Sequence, residues 1–211
     1  MAVRSAFLAL AMCLSGCAAV RDTSVGAALS GLLSHGGQAS PTAVHVPRAE
    51  IEKFGVAVMR VFLPGWGGDG FIVVRDDKGA VKAWAAGDGS LYTFRNGILI
   101  ETRGLGADLM SSSAPSPGQI LGGGSHGRSY FSFGEEDRML RYDFSCRAQA
   151  RGTVEITVQG KRHLTRHIVE ECEGASGNIA NEYWFEGQTI RKSREWGSPL
   201  LGYLEFERIV D

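Results

Sequence analysis

The sequence predicts an all-β domain, a many-stranded and mostly antiparallel sheet folded on itself as a sandwich or half-open barrel. Three observations carry this reading. Short runs rich in Val, Ile, Phe, Tyr and Thr follow one another from Val44 to the carboxyl end. Hairpin signals such as Asp88-Gly89 and Asn96-Gly97 separate them. Strand–helix–strand alternation is missing, which argues against a parallel α/β sheet. A chain of hairpins this long must bend its sheet over to bury one face. The 29 glycines among 211 residues are scattered between apolar runs and fit frequent tight turns.

The amino terminus is different in kind. Arg4 precedes the continuous apolar run Ala6–Leu14. As a helix this run spans roughly 14 Å, far short of a hydrocarbon core of about 30 Å. A basic start, a short apolar stretch and small residues at its end define a secretory signal peptide over residues 1–16. Leu14-Ser15-Gly16-Cys17 resembles the lipobox of bacterial lipoproteins. That resemblance implies cleavage before Cys17, a diacylglycerol thioether on its sulfur, and acylation of the new amino group, typically with palmitate. Several acyl chains give a durable anchor where one gives marginal binding. Ala18 stands where many inner-membrane lipoproteins carry Asp. The class rule therefore places the protein at the outer membrane, facing the periplasm or the surface, with the periplasmic face preferred. Residues 17–43 are small, polar and glycine-bearing, and read as a lipidated tether. Residues 44–211 read as a single β domain.

Within that domain, Val56–Leu63 is a strand stopped by Pro64-Gly65. Gly70–Arg75 turns through Asp76–Gly79 into Ala80–Trp84, and Ser90–Arg95 pairs with Ile98–Thr102 across Asn96-Gly97. The Ser, Pro and Gly of residues 111–127 read as a loop. Strands resume at Ser129–Gly134, Met139–Arg147, Thr153–Gln159, Leu164–Glu171, Glu182–Glu186, Thr189–Glu195 and Leu201–Ile209. Cys13 leaves with the signal and Cys17 is consumed by lipid, so Cys146 and Cys172 remain in a compartment that permits disulfides. The ladder around the Gly160-Lys161 turn brings Cys172 opposite about Ala150, a few residues from Cys146. A disulfide there stabilises the fold by roughly 3–4 kcal/mol in the chain-entropy model.

Several segments resemble the YjbF/GfcB lipoproteins, which are linked to exopolysaccharide and group 4 capsule formation. The first runs from Phe94 through Arg95, Asn96 and Gly97 to Gly104, Asp108 and Leu109. Others are Val169–Cys172 and the stretch from Asn181, Tyr183 and Trp184 through Ser193 and Trp196 to Pro199 and Gly202. The resemblance covers the chain from about Val44 onward. It implies a β-sheet domain at the outer membrane, with a YjbG/GfcC-like periplasmic protein and a YjbH/GfcD-like outer-membrane protein as partners in polysaccharide export. It supplies no catalytic residues. Arg103 departs from the family pattern, which favours a small residue there, and the Pro115–Gly124 loop is idiosyncratic.

Other chemistry is weakly signalled. The formal charge is −1 and no basic block occurs, so the footprint of a nucleic-acid binder is missing. Gly65-Trp66-Gly67-Gly68-Asp69-Gly70 satisfies GxGxxG, but strand-like residues follow where a dinucleotide site needs a helix. His163 and His167 sit four apart on a strand, roughly 13 Å, too far for one zinc ion. His126 has no evident partner, and no metal or other cofactor is expected beyond the covalent lipid. Glycoside hydrolysis or a lyase reaction would use paired carboxylates. Asp69, Asp88, Asp108, Glu135, Glu136, Asp137, Glu170, Glu171 and Glu195 are all available, and no motif singles one out. Trp84 and Trp184 read as core. Arg191, Lys192 and Arg194 with Trp196 form a candidate cation-and-aromatic surface for an acidic polysaccharide or a partner protein. The function that follows is a non-enzymatic accessory lipoprotein of exopolysaccharide or capsule assembly or export. A periplasmic polysaccharide-modifying enzyme is the alternative.

Overall fold

A computed structural model of the chain describes residues 46–134, 136 and 138–211. The expected signal peptide, Cys17 and the rest of the tether, with Val44, His45, Glu135 and Asp137, lie outside the described residues. The strands are β1 (Val58–Leu63), β2 (Gly68–Lys78), β3 (Val81–Ala86), β4 (Leu91–Arg95), β5 (Ile98–Arg103) and β6 (Leu109–Ser112). They continue as β7 (Gly124–Phe133), β8 (Met139–Val158), β9 (Lys161–Gly174), β10 (Gly177–Glu186), β11 (Thr189–Ser198) and β12 (Gly202–Val210). Among the described residues there are two short helices, α1 (Arg48–Glu52) and α2 (Pro117–Gly122).

The strands lie in one 12-stranded sheet with the order β5-β4-β3-β2-β1-β12-β11-β10-β9-β8-β7-β6. Except for β5 and β6, each strand pairs antiparallel with its neighbours in sequence, and β12 returns to pair with β1. The result is an up-and-down meander, nearly closed into a barrel, with one seam between β5 and β6. Side chains close that seam where no ladder does. The Leu109 amide donates to Thr102 Oγ1 at 3.0 Å, and Ser112 Oγ donates to the Leu99 carbonyl at 3.1 Å. The Arg103 guanidinium donates to the carbonyls of Leu109 and Met110, both at 3.3 Å. Arg103, the departure from the family pattern, thus covers a sheet edge that would otherwise present unpaired backbone groups.

Alternation along the strands fills the interior. Met59, Val61, Ile72, Trp84, Tyr92, Phe94, Leu204 and Phe206 form its apolar core with Tyr130, Phe144 and Trp196. A second cluster, Val46, Ile51, Val58, Val158 and Ile209, joins α1 and the tip of the β8–β9 hairpin to β1 and β12. Arg48 fastens this junction by donating to the carbonyls of Val158 and Ile209.

Three local expectations change. Residues 111–127 are not one loop: β6 ends there, β7 begins there, and α2 lies between. Ser116 caps α2 by accepting the Gln119 amide while the Gln119 side chain accepts the Ser116 amide, and Pro117 opens its first turn. The strands expected at Met139–Arg147 and Thr153–Gln159 are one strand, because Gly152 (φ 115°) makes a bulge rather than a break. Cys172 does not face Ala150, which pairs with Ile168; the hairpin starts from the Val158–Lys161 pair, and an unbroken ladder from there would set Cys172 against Arg147. The bulge after Ala150 shifts the pairing by one, and Cys146 faces Cys172 directly, joined to it by a disulfide with Cα atoms 3.9 Å apart.

Candidate functional site

Inward positions on β7, β9, β10 and β11 are not all apolar. Arg128, Glu170, Asn181, Tyr183, Ser193 and Glu195 are buried there, and Glu170 is 0% exposed. Its place follows from alternation: Ile168 and Cys172, two residues to either side, are core residues. Arg128 Nη1 donates to Glu170 Oε2 at 2.7 Å and to the Tyr183 hydroxyl at 3.0 Å. Asn181 Nδ2 donates to the same carboxylate oxygen at 2.7 Å, and His126 Nε2 lies 2.5 Å from Glu170 Oε1. The Arg128 guanidinium also sits 4.8 Å from the Tyr130 ring centroid. Glu195, on the other side of Tyr183, accepts the Leu99 amide at 3.0 Å and the Ser193 hydroxyl at 2.9 Å. That first bond crosses the barrel from β11 to the seam strand β5.

The two carboxyls behave oppositely. Burial pushes Glu170 up, but the Arg128 charge and hydrogen bonds from His126, Asn181 and Arg128 outweigh it, and its pKa falls to about 2. Burial raises Glu195 to about 7; Arg128 and the Leu99 and Ser193 bonds only partly offset it, and the negative charge of Glu170 adds to the rise. The Tyr183 hydroxyl stands 3.4 Å from an oxygen of each. A pair of carboxyls with pKa values driven apart is the arrangement from which acid and base roles are drawn. Here, however, both are sealed: Glu195 is 1% exposed and Glu170 fully covered. His126, Cys146 and Glu170 also bring three ligand-type atoms within 4.8 Å of one another. The Cys146 sulfur is already bonded to Cys172 and Glu170 to Arg128, so this trio lacks a free ligand set.

The other sequence-predicted residues divide. The structure separates Trp196 from Arg191, Lys192 and Arg194, which corrects the expected common surface. Trp196 shares strand parity with Lys192 and Arg194, but the register breaks at Gly197, where an added Cβ would lie 2.8 Å from Leu201 and 2.9 Å from Leu204. Trp196 turns inward to 8% exposure and packs edge-on against Tyr130 at 4.8 Å and Phe144 at 5.7 Å. Trp84 is core as expected, whereas Trp184 lies half-buried on the outer face. There it stacks on His167 at 4.6 Å with Lys192 Nζ 5.7 Å from its ring, and Arg194 covers Tyr203 at 3.6 Å. Glu182, Glu205 and Glu207 interleave with these cations, so the outer platform is charge-mixed.

The quoted motif residues also sort by role. Asn96 (φ 51°) and Gly97 (φ 86°) form the β4–β5 turn, with Arg95 exposed beside it. Asp108 accepts the amides of Gly104 and Leu105 and the Thr102 hydroxyl, which folds the β5–β6 connection. Pro199 and Gly202 lie in and after the β11–β12 turn. Asn181, Tyr183 and Ser193 belong to the buried network. Arg128, His126 and the pairing of Glu170 with Glu195 were not singled out from sequence, although inward alternation beside Tyr130, Cys172 and Ser193 marks their positions.

An antiparallel meander nearly closed around a buried charge network makes this a β-barrel-like domain. The chain belongs to the family described as group 4 capsule polysaccharide lipoprotein gfcB, YjbF, whose model matches residues 21–209. Among solved structures it resembles the crystal structure of the hypothetical lipoprotein YmcC from Escherichia coli (K12). The TM-score is 0.73 at 16% identity, over 91% of this chain and 98% of that one, a likeness of fold. No curated protein sequence matches the chain.

Proposed function

We propose that this protein is an outer-membrane lipoprotein acting as a non-enzymatic accessory factor in capsule or exopolysaccharide assembly or export. Residues 1–16 are removed as a signal peptide, Cys17 carries the lipid, and the β domain stands on the tether that follows. Fully extended, residues 17–45 reach at most about 100 Å. The domain, facing the periplasm, therefore has room to meet periplasmic and outer-membrane export partners of the GfcC and GfcD kinds. Family membership supports the capsule context.

The observation that carries the non-enzymatic reading is the sealing of the carboxyl pair whose pKa values are driven apart. Glu170 and Glu195 are 0% and 1% exposed, whereas a glycosidase must place its carboxyls on either side of the scissile bond. The opposed pKa values of the pair favour the second reading, a polysaccharide-modifying enzyme. Complementation separates them. Glu195→Gln keeps the barrel and removes the titrating acid. In a strain lacking the gene, the accessory role predicts that this variant restores polymer export as the wild type does. Loss of function with a folded, membrane-anchored variant would favour the enzyme. Cys17→Ser should remove lipid labelling and release the protein from the membrane fraction.

A further inference from the structure

The β8–β9 hairpin outruns β7, its neighbour on one side. β7 pairs with β8 only as far as Gly124 opposite Ala148. From Gln149 to the tip, one edge of β8 has no strand beside it among the described residues. Residues 149–155 are all exposed, where alternation on a covered sheet would bury every second one. The tip itself is fixed: Val158 packs with Val58 and Ile209, and Gln159 Nε2 donates to the Val46 carbonyl.

The turn decides which backbone groups face the open edge. Gln159 (φ 45°) and Gly160 (φ 80°) make a two-residue hairpin closed by the Val158–Lys161 pair. That pair exchanges hydrogen bonds, and alternation then turns the backbone groups of Val158, Ile156 and Val154 toward β9. The Val154 carbonyl accepts the Thr165 hydroxyl at 2.8 Å on that side. The N–H and C=O groups of Thr157, Glu155 and Thr153 point the other way, and they have no hydrogen-bond partner among the described residues. Natural sheets guard such edges with Lys, Pro or a covering element. The β5–β6 seam is covered by Thr102, Arg103 and Ser112. Here Thr153-Val154-Glu155-Ile156-Thr157 presents strand-forming residues with a single charge.

We propose that this edge pairs antiparallel with the same edge of a second copy of the chain, about a twofold axis at Val154, so that two barrels share one continuous sheet. The edge is self-complementary in that register. Thr153 and Glu155 exchange hydrogen bonds with Glu155 and Thr153 of the second copy. The two Val154 side chains, each 39% exposed in the single chain, meet across the axis. Arg151 then lies diagonal to Glu155 of the second copy, an attractive pair within side-chain reach. An axis moved to Glu155 opposes two carboxylates directly. One moved to Thr153 carries the pairing into the bulge at Gly152 after a single residue. The bulge keeps the interface small, so pairing is assisted where both copies are confined to one membrane, as the proposed lipid anchor provides. The edge itself does not depend on that anchor.

Disulfide trapping in cells expressing the full chain tests the pairing. Opposed residues of a non-hydrogen-bonded pair have Cα atoms about 4.5 Å apart, within the span of a disulfide. On mild oxidation Val154→Cys should therefore give a band of twice the monomer mass that a reducing agent removes. Leu164→Cys should give none: Leu164 is 67% exposed but lies on β9, three strand spacings or roughly 14 Å from its copy. Glu155→Pro removes an outward N–H without touching the β9 ladder, and should abolish the Val154→Cys band in a chain that stays folded by circular dichroism. Thr153→Pro is a second variant of the same kind. A Val154→Cys chain that stays monomeric, or equal trapping by Leu164→Cys, would overturn the dimer. A cross-linked product of any other mass would overturn the second copy as the occupant. Persistence of the band in folded Glu155→Pro would overturn the edge. Fractionation of the same cells reads the anchor, and polymer export is read separately, so failure of the dimer and failure of the accessory role are distinguishable.

Discussion

Glu170 and Glu195 carry the same side chain in the same barrel and titrate in opposite directions because only one of them meets a cation directly. The difference has a sign at each pH. Glu170, held near 2 against an ordinary 4.5, adds stability above pH 4.5 that is lost as the pH falls toward 2. Glu195, raised to about 7 from 4.5, favours the folded state when protonated, so stability falls as the pH rises from 4.5 through 7. That second slope amounts to about 3 kcal/mol at its upper bound. Urea midpoints between pH 4 and 8 should therefore decline for the wild type and flatten for Glu195→Gln. A wild-type midpoint that rises across this range would contradict the placement of Glu195. Glu170→Gln leaves Arg128 buried without a charge partner and should cost about 3–5 kcal/mol at pH 7, measured by the same denaturation. Little change on that substitution would mean that water reaches the pair.

At the scale of the element, turns and registers decide what the side chains meet. Asn96-Gly97 was legible as a hairpin because both residues take positive φ, 51° and 86°. Gly97→Ala should cost more than about 1 kcal/mol in thermal or urea unfolding. The disulfide was legible too, but its register was not, since the bulge after Ala150 leaves no mark in the sequence beyond Gly152. Replacing Cys146 and Cys172 together by Ala should lower stability by roughly 3–4 kcal/mol, read from denaturant midpoints under oxidising conditions. In α2 the capping box Ser116–Gln119 hid inside a stretch whose composition read as loop; Ser116→Ala should cost about 1 kcal/mol. Trp196 departs from the outward face that alternation assigns for the same reason as the disulfide register: the pairing breaks at Gly197. Strand existence is local and readable, whereas bulges depend on the partner strand.

At the scale of the molecule, the all-β class and the antiparallel hairpins followed from residue patterns, and the half-open barrel was one of two closures compatible with them. What selected it is not local. Thr102, Arg103 and Ser112 bridge the β5–β6 seam, and Glu195 reaches across the interior to the Leu99 amide. The buried network was half legible: Asn181, Tyr183 and Ser193 stood within the recognisable motif, while Arg128 and Glu170 became visible as partners only once β7 and β9 were side by side.

The most direct measurement is the amount, location and chain length of polysaccharide in a strain lacking this gene. The accessory role predicts loss of extracellular polymer, with chains of normal length retained in the periplasm. Unchanged export with altered chain length would contradict it and assign the protein to polymer modification.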